Sequence, residues 1–305
     1  MNKKLTVLIM FVMTLFTGQM VSGEEMTALK LTDMVGREVV LEEGPVDEIV
    51  TLMPADTEIL FEIGAGDTIV GRGTYVDFPA DEVEDIPAIA TGENLNIEEI
   101  IALDPEVVVM TAMSLTEDQM AAIEDAGIAV LVTDAQTIEE VYEAIDLLGQ
   151  LVGKEEEADQ LIEEMETVFK EFEEKADQEE ESATVYYEVS PLEFGLWTAG
   201  SETFMDEIGQ ILKLENIFAD QKSFVEVSEE QVLLANPQVI ITTSLPMDEE
   251  APAPEEEIMQ RKEWDELSAV EENRVFAVDN SAFTRLGPRL MDAVKELYDL
   301  VYGAE

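Results

Sequence analysis

Twelve residues of this chain occur twice. Glu98 to Val109 (EEIIALDPEVVV) and Glu230 to Ile241 (EQVLLANPQVII) align without a gap. Glu98 falls opposite Glu230 and Asp104-Pro105 opposite Asn236-Pro237, and the apolar positions are kept apart from a small-for-large exchange in the middle. Each copy reads as a short helix, a turn at Asp-Pro or Asn-Pro, and an apolar strand running into a sheet. A supersecondary unit repeated in this way implies two lobes built to one plan rather than a single body.

The residues around the repeat support that division. Leu29 to Leu41 alternates apolar and polar side chains about Asp33-Met34-Val35-Gly36 and predicts a small hairpin. Glu48 to Met53 predicts a buried strand stopped by Pro54. Ala55 to Ile63 follows as a helix ended by Gly64, with Asp56 or Thr57 as its cap. Strand and helix signals then alternate through Thr68 to Val70, Ile97 to Leu103, Val107 to Thr111, Thr116 to Ala126, Ala129 to Thr133 and Thr137 to Leu151. This alternation requires a parallel sheet covered by helices. It resumes with Thr184 to Val189, helices at Thr203 to Leu212 and Ser228 to Leu234, and a strand at Gln238 to Thr243. Met247 to Glu256 reads as a solvated loop, and Glu263 to Leu267 as a short element after it. A strand at Arg274 to Asp279 and a helix from Pro288, at its first position, to Tyr302 complete the chain.

Between the halves, Lys154 to Gln178 carries apolar residues at Ala158, Leu161, Ile162, Met165, Val168, Phe169, Phe172 and Ala176. Steps of three and four make this one amphipathic helix of about 25 residues, roughly 37 Å long. Three heptads are barely enough for a coiled-coil dimerisation helix, which stays the alternative, and a strut between two lobes is the expectation.

Composition removes whole classes of chemistry. The 305 residues include no His and no Cys, which excludes a Ser-His-Asp triad, a thiolate nucleophile, an iron–sulfur cluster and an ordinary zinc site. With 71 Asp and Glu against 16 Lys and Arg, the formal charge is −55, so nucleic acid is not expected as a partner. The acids are spread among apolar positions and read as the solvated surface of a folded protein from a salt-loving source. Paired carboxylates, as in glycosidases, carry little information in such a background, and an exported hydrolase is the remote alternative. Gly64-Ala65-Gly66 follows a helix instead of joining a strand to one, which argues against a phosphate loop.

Lys3 and Lys4, the apolar run Leu5 to Phe16 and the small residues Val21-Ser22-Gly23 have the form of a secretory signal peptide. A run of about 12 residues is short of the roughly 20 that span a bilayer. Cleavage after Gly23 would leave 282 of the 305 residues, 14 of the 16 basic residues, and a charge of about −57. With no cysteine at the cleavage site, the expectation is an exported, soluble, extracytoplasmic protein with neither a lipid anchor nor disulfides.

Three stretches then carry a resemblance. Ile49 to Pro79 (IVTLMPADTEILFEIGAGDTIVGRGTYVDFP), Asn96 to Val109 (NIEEIIALDPEVVV) and Arg274 to Leu290 (RVFAVDNSAFTRLGPRL) resemble the substrate-binding proteins of ABC importers for cobalamin and iron complexes. The resemblance implies an α/β fold of two Rossmann-like lobes joined by one long helix, the helical-backbone periplasmic binding protein fold. It divides the chain into a signal peptide (1–23), an N-terminal lobe (24–153), an interlobe helix (154–178) and a C-terminal lobe (179–305). It also implies carriage without catalysis, no resident cofactor or metal, and a monomer working with an ABC permease dimer and its ATPase subunits.

On this resemblance Glu98 and Glu230 are the lobe-tip acids that dock onto permease arginines. Tyr75 matches an aromatic position that packs against the corrin in cobalamin-binding members. Trp197, in the glycine-flanked Gly195 to Gly200 segment expected to be a loop, and the weaker candidates Phe224 and Phe283 are the other aromatic residues placed in the cleft. Arg285 and Arg289, two of six arginines, stand at one junction, where they either meet ligand carboxamides or phosphate or neutralise acids at a lobe seam. Few basic residues fall in the expected cleft loops. This favours cobalamin over anionic siderophores, with hydroxamate siderophores and haem as alternatives.

Overall fold

The structure is a computed structural model that describes residues 28–92, 95–112, 116–179, 182–246 and 251–303. The signal peptide predicted over 1–23 lies outside the described residues, as do residues 247–250 of the predicted polar loop. The hairpin is present as β1 (Leu29–Thr32) and β2 (Glu38–Leu41), paired antiparallel. Five parallel strands form the N-terminal sheet: β3 (Ile49–Thr51), β4 (Ile69–Gly73), β5 (Ala88–Ile89), β6 (Val107–Met110) and β7 (Ala129–Val132). Their spatial order is β5-β4-β3-β6-β7. Helices α1 (Pro54–Glu62), α2 (Ala80–Val83), α3 (Ile97–Ala102), α4 (Glu117–Asp125) and α5 (Ile138–Val152) connect and flank them. Next comes α6 (Glu155–Ala176), then β8 (Thr184–Glu188), β9 (Leu196–Ala199), α7 (Phe204–Ile211), β10 (Glu215–Asn216), β11 (Phe224–Val227), α8 (Glu229–Ala235) and β12 (Val239–Thr242). The chain continues through α9 (Pro254–Met259), α10 (Ser268–Glu271), β13 (Val275–Ala277), α11 (Asn280–Thr284) and α12 (Leu290–Tyr302). The second sheet is parallel in the order β10-β8-β12-β13, and β9 pairs with β11 in a separate antiparallel ribbon.

The sequence repeat is a structural repeat. β6 and β12 are central strands buried along their length. Val107 and Val109 face the same core cluster as their counterparts Val239 and Ile241, whereas Val108 and Ile240 point to the opposite faces of their sheets. Asp104 and Asn236 both take left-handed backbone, at φ 53° and 47°, a conformation Asp and Asn tolerate better than other non-glycine residues. That turn aims each short helix into its strand.

The 22 residues of α6 cover about 33 Å at 1.5 Å per residue. Ala158, Leu161, Met165, Phe169, Phe172 and Ala176 are buried within the chain, against α5 of the first lobe and α7 and α12 of the second. This leaves no apolar seam on α6 for a coiled coil. The other faces of the two sheets are closed by separate clusters around Ile100 and Ile123 in the first lobe and Trp264 and Ile258 in the second.

Several expectations are corrected. Asp56 and Thr57 do not cap α1: Pro54 occupies its first turn, Met53 is the N-cap without a side-chain bond, and both residues are buried inside the helix. Thr57 Oγ1 lies 2.6 Å from Thr51 Oγ1, tying the helix to β3. Pro288 precedes α12, which starts at Leu290 after the Arg289 N-cap. The polar insertion contributes α9, started by Pro254. Trp197 lies on β9, not in a loop, because β11 supplies a partner strand from 25 to 31 residues further along the chain.

A buried ion pair anchors this last region. The Arg261 guanidinium donates to both Glu188 carboxylate oxygens, at 2.6 and 2.8 Å, and stacks over Trp264 at 4.5 Å. Both side chains are almost wholly buried, at 3 % and 1 % exposed. Arg261→Leu leaves Glu188 charged and unpaired and is expected to cost about 3–5 kcal/mol in urea unfolding. Arg261→Leu combined with Glu188→Leu should recover most of that loss. A double variant no more stable than the single one would show that the pair's packing, not its charge, carries the stability.

Candidate functional site

In an open parallel sheet the loops diverge where strand order reverses, leaving a crevice at the carboxyl ends of the strands. The first lobe reverses at β3 and β6, and the second at β8 and β12. Both crevices open onto the same space. The chain leaving β3 (Leu52 to Asp56), Tyr75 after β4, Thr91 after β5, Thr111 after β6 and Thr133 after β7 wall a cavity of about 490 Å³. Asn280, Thr284, Arg285 and Leu286 of the second lobe close it. A second cavity of about 300 Å³ continues from it through Met53, Thr111, Ala135, Asn280, Thr284 and Leu286 to Val189, Phe204, Phe224 and Thr243. Together they form an interlobe cleft within the usual range of small-molecule sites, about 300 to 1,000 Å³.

Ties between the lobes frame the cleft. The Phe204 amide donates to the Gln136 carbonyl at 3.2 Å, and the Ile138 amide to Glu207 Oε2 at 2.7 Å. Arg285 Nη1 donates to Glu58 Oε1 at 2.9 Å and to Asp77 Oδ1 at 2.6 Å. Arg289 bonds Asp279 at 3.2 Å and lies over the Phe78 ring at 4.7 Å. Burial pushes the Glu58 carboxyl up, opposed by Arg285, while the Arg285 bond holds Asp77 below the usual carboxylate range. Of the two roles open to Arg285, the structure shows it at the seam, with its side chain bordering the larger cavity.

The sequence candidates divide. Tyr75, 74 % exposed, and Arg285 meet at one end of the cleft, where Arg285 Nη2 is 3.5 Å from the Tyr75 carbonyl. Phe224 borders the smaller cavity and leans on Phe204 at 6.3 Å. Trp197, 40 % exposed, sits opposite Glu226 across the β9–β11 ribbon, as Phe224 sits opposite Ala199. The pairing puts Trp197 and Phe224 on one face of the ribbon, although Trp197 lines neither cavity. Phe283 is a correction: it is fully buried among core side chains and cannot face a ligand. Arg289 also lies in the seam, outside the cavity walls.

Sequence reasoning missed Asp56, Glu58, Asp77, Thr133 and Asn280. Two acids flanking Thr57 at the start of the helix that goes on through the apolar Ile59 to Phe61 were the available signal. Asp56 is 3 % exposed, and burial raises its pKa to about 7 against the opposing pull of a 2.8 Å bond from Thr133 Oγ1.

Glu98 and Glu230 occupy the same position, second in α3 and α8, and both are exposed. Asn96 caps one helix, and Ser228 caps the other in a reciprocal box with Gln231. The Glu230 carboxyl is held below its ordinary range by its own backbone amide and by Ser228. The two carboxylates mark equivalent points on the two lobes.

The sequence pattern of the periplasmic binding protein family matches residues 49–282, most of the chain and both lobes. The chain belongs to that family. Its mixed α/β fold, with parallel sheets and a long helix, is the one the structural relatives share. It is 36 % identical to the "Uncharacterized ABC transporter substrate-binding lipoprotein YvrC" of Bacillus subtilis (strain 168), over 91 % of this chain and 87 % of that one. It is 30 % identical to the "Vitamin B12-binding protein" of Salmonella typhi, over 82 % and 88 % of the two chains. A solved structure described as a possible iron-binding periplasmic solute-binding protein of Staphylococcus epidermidis ATCC 12228 superposes with a TM-score of 0.73. It is 28 % identical, covering 85 % of this chain and all of that one. No described helix is long and apolar enough to cross a membrane.

The raised Asp56 carboxyl makes a pH prediction. The unfolded group titrates near 3.8 and the native one near 7, so between those values the native state holds the extra proton. The contribution of this group to stability is therefore full below about pH 4 and is lost as pH rises through 7, by about 4 kcal/mol over three units. Asp56→Asn is expected to melt above the wild type at pH 8 and level with it at pH 4. The same melting offset at both pH values would refute a buried, titrating carboxyl.

Proposed function

We propose that this chain is the extracytoplasmic solute-binding component of an ABC importer. In this reading it captures cobalamin or a related corrinoid between its lobes and delivers it unaltered to a permease dimer driven by ATPase subunits. The supporting observation is the charge state of the cleft. Its walls are mostly apolar, aromatic and hydroxyl-bearing with two acids, Asp56 and Asp134, and the one cation among the described residues that line it, Arg285, is already shared between Glu58 and Asp77. A ferric catecholate or citrate would enter with several uncompensated negative charges. A broad ring with amide arms needs an aromatic plate and a few hydrogen-bonding groups, and Tyr75, Phe224, Asn280 and the threonines provide them. The second reading, a ferric hydroxamate or haem, draws on the iron-linked name of the staphylococcal relative and makes a smaller charge demand.

Titration with cyanocobalamin, haemin and ferrichrome separates these readings. Trp264 is fully buried and Trp197 exposed, so ligand-induced quenching reports the β9–β11 face. Cyanocobalamin is expected to saturate the signal, and Tyr75→Ala and Phe224→Ala, which leave the Trp197 reporter in place, each to weaken binding about tenfold, the scale of one lost aromatic contact. Saturation by ferrichrome alone would transfer the protein to the siderophore reading.

For docking, Glu98 and Glu230 offer one carboxylate per lobe to a partner with matching basic groups. Exposed pairs are individually weak and screened by salt, so shape has to share the work. The combined Glu98→Ala and Glu230→Ala variant is expected to hold cargo within about twofold of wild type and to support no uptake in a reconstituted transporter. Loss of cargo affinity in that variant would reassign the two acids to the cleft.

A further inference from the structure

Asp56 is the third residue of α1, at the carboxyl end of β3 where the first sheet reverses, and it forms part of the wall of the larger cavity together with Thr133. The carboxylate is half satisfied. Oδ1 accepts the Thr133 hydroxyl at 2.8 Å, while Oδ2 is buried and has no hydrogen-bond partner among the described residues. The neighbouring wall at Leu52, Met53, Pro54, Ala55, Ala135 and Ala144 provides no side-chain hydrogen-bond donor. A buried carboxylate oxygen left this way is costly; Asp33, Glu58 and Glu255 each have one such oxygen too, but among these acids Asp56 alone forms part of the cavity wall. Oδ2 is closed to solvent in this structure, so a cargo donor reaches it from the cavity side with a small shift of the wall side chains.

We infer that Asp56, steadied by Thr133, selects cargo presenting an uncharged donor, the N–H of a primary carboxamide arm, over the same cargo with a carboxylate at that place. The inference rests on the corrinoid reading of the cleft and assigns it a specificity residue. An amide N–H completes the acceptor set of Asp56. A carboxylate arm meets a like charge in a confined wall, with Arg285 already committed to Glu58 and Asp77.

The test is calorimetry on the intact chain at pH 8 with cyanocobalamin and its monocarboxylates, in each of which one propionamide arm has been hydrolysed. Wild type is expected to bind the parent at least about tenfold more tightly than at least one monocarboxylate. Asp56→Asn should bring that ratio within about threefold, because its amide offers both an acceptor and a donor. Asp56→Ser, which also removes the charge, should do the same and provides a second route if one variant folds poorly by circular dichroism. A wild-type ratio near one for every monocarboxylate overturns the inference, as does a ratio unchanged in both folded variants. In either case tight binding of the parent leaves the corrinoid reading standing. Failure of the wild type to bind any corrinoid, with saturation by ferrichrome, overturns that reading and this inference with it.

Discussion

The apolar stripe of α6 holds the molecule together. Six buried side chains along one helix join the inner faces of two sheets that do not share a strand, so the lobes have a common core while each keeps a separate outer one. Everything functional follows from that placement. With the helix and the inner helices on one side, the carboxyl ends of both sheets are turned toward each other, and the two switch-point crevices become a single cleft. The repeat supplies the symmetry: β6 and β12 divide their side chains between inner and outer cores in the same alternation, and the same left-handed turn precedes each.

In a chain this acidic, burying any carboxylate requires a local solution. Glu188 shares Arg261 with Glu257, Glu58 shares Arg285 with the exposed Asp77, Asp33 accepts backbone amides, Asp206 accepts the side-chain amides of Gln210 and Asn216, and Asp56 has only a hydroxyl. The scarcity of basic residues makes each arginine legible, since so few acids can be answered by one. Arg285 ends at the seam for that reason, and the cleft is left with hydroxyls, amides, aromatic rings and the carboxyls of Asp56 and Asp134 as its chemical vocabulary.

Much of this was legible in the linear sequence. The repeat, the strut and the alternation of strands and helices depend on period and local turn chemistry, and those were found within a few residues of their observed limits. The misreadings have separate causes. Asp56 and Thr57 have the residue types of caps, yet Pro54 starts α1 earlier and draws them into the interior. Gly195 to Gly200 looks like a loop until β11 pairs with it. Phe283 has the same local context as the true cleft residues Thr284 and Arg285, and only the turn of α11 sends it inward. The ribbon was decided by a strand distant in sequence, and the other two by where a helix starts and which way it faces, none of which residue type alone encodes.

A 22-residue helix with a filled stripe does not fold and unfold like a glycine hinge. With backbone and side-chain ties at the rim as well, relative motion of the lobes is confined to bending of a stiff rod. In such a frame the shape of the slot between the lobes is set by the fold itself, before any solute arrives.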